Sequence, residues 1–231
     1  MNIAIRELGT SINWSKLWQA YRAFKANPAE GVLLVFEAER HSLWRSWVIQ
    51  RLKRQASHLQ VKRVKIDLAE LMKLPSDTLG GAYAGHMIAQ GFNPETFVTK
   101  NDNDDWLAQR LGLSHDVYHI ITGFDATPIG EFGVAAFVLV QWWDMVNVFV
   151  MSWFPLYLLS EITKAPMYVA AIARGMMMGL KIKPIVGYAF EDNWHKPLIV
   201  VRKELGIIVQ DSRLLEEVKN LNNANLSRFK L

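Results

Sequence analysis

Cysteine is absent from the 231 residues, which excludes a disulfide scaffold, a thiolate metal site and a cysteine nucleophile together. Acidic residues are missing from Arg40 to Ile66, where Arg40, Arg45, Arg51, Lys53, Arg54, Lys62, Arg63 and Lys65 stand unopposed. Such a block attracts phosphates, whether of nucleic acid or of an anionic membrane. No zinc finger, RRM signature or basic-region heptad accompanies it, so nucleic acid is not the expected partner and a membrane surface is. The plainer alternative is a solvated basic helix face. The chain also lacks a repeat at a period of about 20–50 residues and any low-complexity linker, which leaves nothing to divide it. Its opening, MNIAIREL, has no apolar core of signal-peptide length, and Glu7 directly after Arg6 is unlike an acid-poor presequence. The expected location is therefore the bacterial cytoplasm. What is present is apolar: 51% hydrophobic and 21% charged residues, with nine tryptophans and nine methionines. That is too apolar for disorder and suits a core that meets something large, flat or flexible.

Apolar residues recur with helical period through most of the chain. Trp14–Lys25 reads as an amphipathic helix, and Asn27-Pro28 caps another through Val32–Glu39. Leu43–Ala56 reads as a basic helix, and the β-branched Val61–Ile66 as a short strand. Leu74-Pro75 and Gly80-Gly81 read as loop punctuation before a helix with Tyr83, His86 and Met87, which Gly91 and Asn93-Pro94 end. Asp102 to Asp105 supply the negative charge that suits the start of a helix running through Trp106 to Thr122, where Gly123 stops it. Further helices are expected over 131–153, Tyr168–Leu180, Glu191–Leu205 and Ser212–Leu221. The fold class is all-α, one helical domain over 1–231 with a very apolar central helix.

That central stretch, Phe132 to Leu159, holds Asp144 as its single charge and exceeds the ~18 residues of a membrane span. Gln141, Asp144, Asn147 and Ser152 nevertheless form a polar stripe at helical spacing. An aspartate at mid-span is costly in lipid, and Pro155 breaks a helix. The preferred reading is a helix central to the core or lining an apolar cavity.

His115-Asp116-Val117-Tyr118-His119 carries the chemistry. On a helix His115 and His119 are four residues apart and share a face, their Cβ atoms about 5–6 Å apart. Asp116 lies about 100° from His115 and about 60° from His119, on the same arc. Glu131 follows after the turn Gly123 to Gly130, so a second helix folding back as a hairpin faces the pair. Two imidazoles and two carboxylates converging in this way suit zinc, or ferrous iron with open positions. Surface histidines with a helix-start glutamate are the structural alternative. An H-E-x-x-H metalloprotease needs a glutamate where Asp116 stands. A ferritin-like di-iron site needs two acid-x-x-His motifs, and only Asp116–His119 qualifies. HD-type phosphohydrolases need further ligands, for which His86 and Asp144 are merely available. A straight helix also sets Asp144 about 220° from Glu131.

His115-Asp116-x-x-His119 followed by Glu131 resembles the hallmark of the ubiquinone-biosynthesis protein 4 family of the Coq set. Leu74-Pro75 with Leu79-Gly80, Tyr83, and Asn93-Pro94-Glu95-Thr96 resemble further elements of that family. So do Gln109-Arg110, Thr122-Gly123, and a closing signature of Glu191, Trp194, Pro197-Leu198, Arg202 and Leu205-Gly206-Ile207. The resemblance is strongest over 70–210. It departs at Leu111-Gly112-Leu113-Ser114, where the family carries a tyrosine and an acid that bear on the orientation of His115. The resemblance implies an all-helical bacterial homologue, peripheral on the inner face of the membrane, that takes part in making coenzyme Q. It implies that His115, Asp116, His119 and Glu131 ligate a divalent metal, zinc first, with iron or magnesium as alternatives. It also implies handling of a polyprenyl lipid or prenylquinone precursor, association with other quinone-biosynthesis enzymes, and removal of the ring C1 carboxyl with hydroxylation there.

A polyprenyl tail needs an adaptable apolar tunnel, and methionine suits such a lining. Trp142, Met145, Phe149, Met176 and Met177 are the expected lining. Arg174 and Arg202 are the expected head-group residues, since a guanidinium binds carboxylate or phosphate bidentately. Gly175 and Gly179 permit close helix approach. An apolar face of this kind also admits a homodimer. Two functions stay open: a metal-dependent decarboxylase of a polyprenyl hydroxybenzoate, or a non-catalytic prenyl-lipid carrier and scaffold.

Overall fold

The computed structural model describes residues 12–59, 64, 66–94 and 106–207, except for the side chains of Ala108 and Gln109. The expected helix over Ser212–Leu221 and the acids Asp102 to Asp105 lie outside the described residues, as does most of the expected strand Val61–Ile66. Among the described residues the architecture is all-helical. Local capping sets most helix starts. Asn13, Asn27 and Ser42 accept hydrogen bonds from backbone N–H groups at the heads of α1 (Trp14–Phe24), α2 (Pro28–Glu39) and α3 (Leu43–Gln55). Asp67 caps the single turn α4 (Leu68–Leu71), and Thr78 caps α5 (Leu79–Gln90). Gly80-Gly81 thus lies inside α5 and is no loop. A side chain at either glycine would strike Leu74 or the Pro75 carbonyl, so these glycines serve close packing. Gly91 in a left-handed conformation ends α5, and Gly123 ends α6 (Trp106–Thr122).

The long apolar stretch is not one helix. Thr127 caps α7 (Pro128–Trp142), which stops at Trp143, a non-glycine residue with φ 58°. Asp144 then begins α8 (Met145–Ser152) by accepting from the Asn147 N–H. The expected 131–153 helix is therefore broken, and the aspartate that reads as a mid-helix charge is a helix cap. Trp153 closes α8, and α9 (Phe154–Ser160) follows with Pro155 in its first turn. No single described helix is long and apolar enough to cross a membrane.

α7 packs lengthwise on α10 (Ala165–Lys181). Gly175 and Gly179 on α10 face the α7 backbone at Gly133 and Phe137, which brings the two axes close. Gln141 of α7 donates to the Gly179 carbonyl and accepts from the Ile185 N–H. One apolar cluster, including Leu52, Tyr83, Tyr118 and Phe137, lies to one side of this pair. A second, including Val35, Phe132, Phe149 and Tyr168, lies under α1, α2 and α8.

The closing segment is tied to the middle of the chain through polar groups. Arg110, 2% exposed, forms a two-pronged pair with Glu191 (3.0 and 3.3 Å) and donates to the Val186 and Tyr188 carbonyls. The Trp194 carbonyl accepts from the Gly80 N–H at 2.8 Å, and the Lys196 carbonyl from the Leu79 N–H at 2.9 Å. Arg202, on α11 (Leu198–Leu205), donates to the Ile120 and Ile121 carbonyls at 2.9 and 3.0 Å. The scattered residues Leu79-Gly80, Arg110, Glu191, Trp194 and Arg202 thus form one girdle that fixes α5 and the last turn of α6.

Candidate metal centre and adjoining groove

α6 and α7 form the hairpin that brings His115, His119 and Glu131 together. One potential ligand atom from each lies within 4.8 Å of the others. The two Nε2 atoms are 3.3 Å apart, and the Glu131 carboxylate lies 3.6 Å from His115 Nε2 and 3.4 Å from His119 Nε2. His119 is 2% exposed and its Nδ1–H donates to the Phe124 carbonyl at 3.2 Å. That bond fixes the ring: the neutral imidazole turns a bare Nε2 lone pair to the cluster, and the protonated one an Nε2–H toward Glu131. The turn itself is held by Asp125, which accepts from the Thr127 N–H (3.1 Å) and hydroxyl (2.6 Å).

Partial burial, the side chain being 42% exposed, opposes ionisation of Glu131, yet hydrogen bonds from His115 and His119 and their charges hold its carboxyl well below the usual range. Partial burial, the side chain being 44% exposed, by itself lowers the His115 pKa, but the Glu131 bond and charge, with Asp116 beyond, outweigh it and raise the value. The donor set fits a divalent cation. Two imidazole nitrogens 3.3 Å apart beside a carboxylate repel one another unless a proton or cation is shared among them. Two nitrogens and one oxygen suit zinc or ferrous iron, whereas magnesium prefers an all-oxygen shell.

Asp116 falls outside this three-residue group. Its place on α6, about 100° round from His115, directs it to α5, where its Oδ1 lies 3.8 Å from His86 Nε2. The His86 ring stacks on His119, centroids 5.7 Å apart at 18°. Tyr83, one turn before His86 on α5, has a phenol pushed up first by burial and then by the Asp116 charge. By its place in the sequence His86 is merely available. The signal for it was the i, i+3 pair Tyr83–His86 on an otherwise apolar helix face.

Beside the hairpin turn lies a groove of about 660 Å³. Phe124, Thr127, Lys164, Met167, Tyr168 and Arg174 contribute to its walls. Arg174 donates to the Thr122 carbonyl at 2.8 Å and sits 4.3 Å over the Phe124 ring. Phe124 therefore touches both sites, its carbonyl holding His119 and its ring carrying Arg174.

The expected tunnel residues do not come together. Trp142 is buried in the first cluster, while Met145 and Phe149 are buried in the second, beyond the break at Trp143. Met176 and Met177 are 41% and 55% exposed because Gly175, Met178 and Gly179 take the inward face of α10. None of the five borders the groove. The head-group pair separates as well. Arg174 lines the groove, whereas the Arg202 guanidinium is committed to two helix-end carbonyls. Phe124, Lys164 and Tyr168 were not expected there, because a turn and a helix start distant in sequence meet only in the packed hairpin.

Residues 46–211 match the family of the coenzyme Q (ubiquinone) biosynthesis protein Coq4. The chain is 26% identical over 146 residues to the mitochondrial ubiquinone biosynthesis protein COQ4 of Pyricularia oryzae, covering 62% of this chain and 48% of that one. To the mitochondrial COQ4 homolog of Rattus norvegicus it is 26% identical over 155 residues, covering 62% and 55%. The chain thus spans about half the length of these curated relatives. A crystal structure from Nostoc punctiforme, of a protein provisionally assigned to ubiquinone biosynthesis, superposes with a TM-score of 0.71. The two share 25% identity over 86% of this chain and 100% of that one.

Proposed function

The chain belongs to the Coq4 family of coenzyme Q (ubiquinone) biosynthesis proteins, and on that footing we propose that it binds a polyprenylated ring precursor at a membrane surface, with the ring beside His115, His119 and Glu131. The observation that carries this reading is the adjacency of that cluster to the groove through a single residue, Phe124. A volume of about 660 Å³ accommodates a ring and its first isoprene units. The rest of a tail would lie on the apolar surface outside. Met167 borders the groove and is more than half exposed, and the neighbouring Leu159 and Ile162 are exposed too. Each buried CH₂ contributes about 0.8 kcal/mol, so the tail dominates affinity while the polar residues orient the ring.

In this reading Arg174, stiffened by its bond to Thr122 and its stack on Phe124, holds the anionic carboxylate of the precursor, while Lys164 is already paired with the groove-lining Glu161 at 3.2 Å. Burial lowers the Arg174 pKa, and a bound anion would offset that cost. His115, His119 and Glu131, with Asp116 as the fourth candidate, would hold a divalent cation whose Lewis acidity would steady charge on the ring as the C1 carboxyl leaves as CO₂ and a proton takes its place. The apolar part of the wall, Phe124, Ile129 and Met167, packs on the ring, and the Phe124 carbonyl keeps the His119 ring aimed. One observation favours the carrier reading instead: the groove opens on exposed apolar side chains, as a site that hands lipid to a partner enzyme requires.

Purified protein with its native metal content, given a prenylated hydroxybenzoate, tests both readings. Release of CO₂ with a decarboxylated ring supports the enzyme. Lipid binding without product supports the carrier. Failure to retain any prenyl lipid overturns the groove assignment. His119→Ala and Glu131→Ala are each expected to lower metal occupancy while the chain stays folded, and unchanged occupancy in both removes the metal site.

A further inference from the structure

His86 is a largely enclosed histidine that the hairpin motif leaves unexplained. Its Nε2 is buried and has no hydrogen-bond partner among the described residues. Buried ring nitrogens are normally paired, so an orphan at this place calls for a reason. The ring is not loose. It stacks on His119 and meets the Phe92 ring edge-to-face at 6.2 Å. Beside these rings Nε2 points toward Asp116 Oδ1, 3.8 Å away and just beyond hydrogen-bond reach. Both side chains are nearly enclosed, at 13% and 14% exposure. An apolar side chain would fill this space against His119 and Phe92 equally well, and it would leave no unpaired nitrogen.

We propose that His86 is a positioning residue of the metal centre, whose Nε2–H holds one carboxylate oxygen of Asp116 so that the other faces the ion held by His115, His119 and Glu131. This deepens the metal reading and rests on it. Asp116 is displaced round α6 from the line joining His115 and His119, so its carboxylate reaches the cluster by turning about its own side-chain bonds. A carboxylate free to turn loses entropy on ligation, and a fixed donor at its rear removes much of that cost. Closing the gap to a hydrogen bond takes a shift of about 0.8–1 Å, within the reach of one side-chain rotation. Ligating carboxylates are regularly held in this way, and loss of such a partner typically weakens metal affinity about 10–100-fold. The stack on His119 also couples His86 to the ligand most deeply buried, so the same ring buttresses two residues of the centre.

The test titrates cobalt(II) into the full chain after chelator treatment, following both affinity and the visible absorption that reports coordination. His86→Phe keeps the ring, the stack and the volume but removes the donor. It is expected to weaken cobalt binding 10–100-fold and to move the absorption toward that of Asp116→Asn. The double variant should bind no worse than the weaker single one, because both remove the same bond. His86→Gln, which keeps an N–H donor, should recover part of the affinity. If His86→Phe loses its helical circular dichroism, His86→Ala carries the same comparison. Unaltered affinity and absorption in the folded variant, or losses that multiply in the double variant, overturn the proposal while leaving the metal site standing. Absence of cobalt binding by the unaltered chain removes the metal site itself, and this role of His86 with it.

Discussion

Replacing Gly175 by alanine adds one methyl group where α10 has no room for it. The new Cβ would overlap the Gly133 carbonyl oxygen and lie 3.0 Å from its carbon and 3.2 Å from the Phe137 nitrogen. The same change at Gly179 sets a Cβ 2.5 Å from both the Phe137 oxygen and Val140 Cγ2, against 3.4–4 Å for ordinary contact. Backbone atoms cannot swing aside as a side chain does, so α7 and α10 must separate by about 1 Å. Overpacking of that kind costs about 1–3 kcal/mol. For a chain of this size each kcal/mol moves the melting temperature by roughly 2–4 °C, so Gly175→Ala should melt roughly 2–12 °C lower. Gly85, in mid-α5 with nothing within 4 Å of its built Cβ, is the control. Gly85→Ala should be neutral or raise stability by about 0.5–1 kcal/mol. Separation of the two helices also carries Arg174 away from Thr122 and Phe124, while His115, His119 and Glu131 keep their places on α6 and α7. Prenyl-lipid affinity should therefore fall with the melting temperature, and metal affinity should not. The measurement is thermal unfolding by circular dichroism, with lipid and metal titrations alongside. A Gly175→Ala melt within about 1 °C of the parent refutes the close-approach argument.

Glu39 is buried beside Arg45, and burial pushes its pKa up to about 7 against that attraction. Its folded value lies above the unfolded 4.5, so the associated stability is complete below pH 4.5 and is lost as pH rises through about 7. The loss is on the order of 3 kcal/mol. Urea midpoints should fall from pH 5 to pH 8 in the parent and much less in Glu39→Gln; equal slopes in both would contradict the assignment. Arg110→Ala leaves the Glu191 carboxylate and the Val186 and Tyr188 carbonyls without a donor, and should cost about 3–5 kcal/mol in chemical denaturation. Arg110→Met with Glu191→Leu should recover the part due to the stranded carboxylate but not that of the two carbonyls, and a single change costing under about 1 kcal/mol would mean that the girdle is not structural.

The helix class, most of the helix starts and the His115–His119 pair were readable from the chain because each depends on residues within about four positions. A cap needs its own side chain and the next turn, and two imidazoles share a face whenever they stand four apart on a helix. Gly175 and Gly179 were readable for a related reason, since the spacing itself exposes a strip of backbone. The head of α5 reads as a loop in the sequence because Gly80 and Gly81 carry the same letters in a loop as in a helix pressed against a neighbour. Only the packing partner tells the two apart.

The amino-acid order by itself determined an all-helical chain with two imidazoles and a following glutamate set for one hairpin. What the tertiary structure decided was where everything else points. Trp143 adopts a left-handed conformation and Asp144 becomes a cap, so Met145 and Phe149 go to a different cluster from Trp142. Packing on α7 claims Gly175, Met178 and Gly179, so Met176 and Met177 turn outward. Arg202 finds two open carbonyls 81 and 82 residues away, and Arg110 a carboxylate 81 residues away. The physical reason is range. Spacing along a helix sets which side chains share a face, but which face is buried, and which distant polar group meets it there, is settled only when the helices pack.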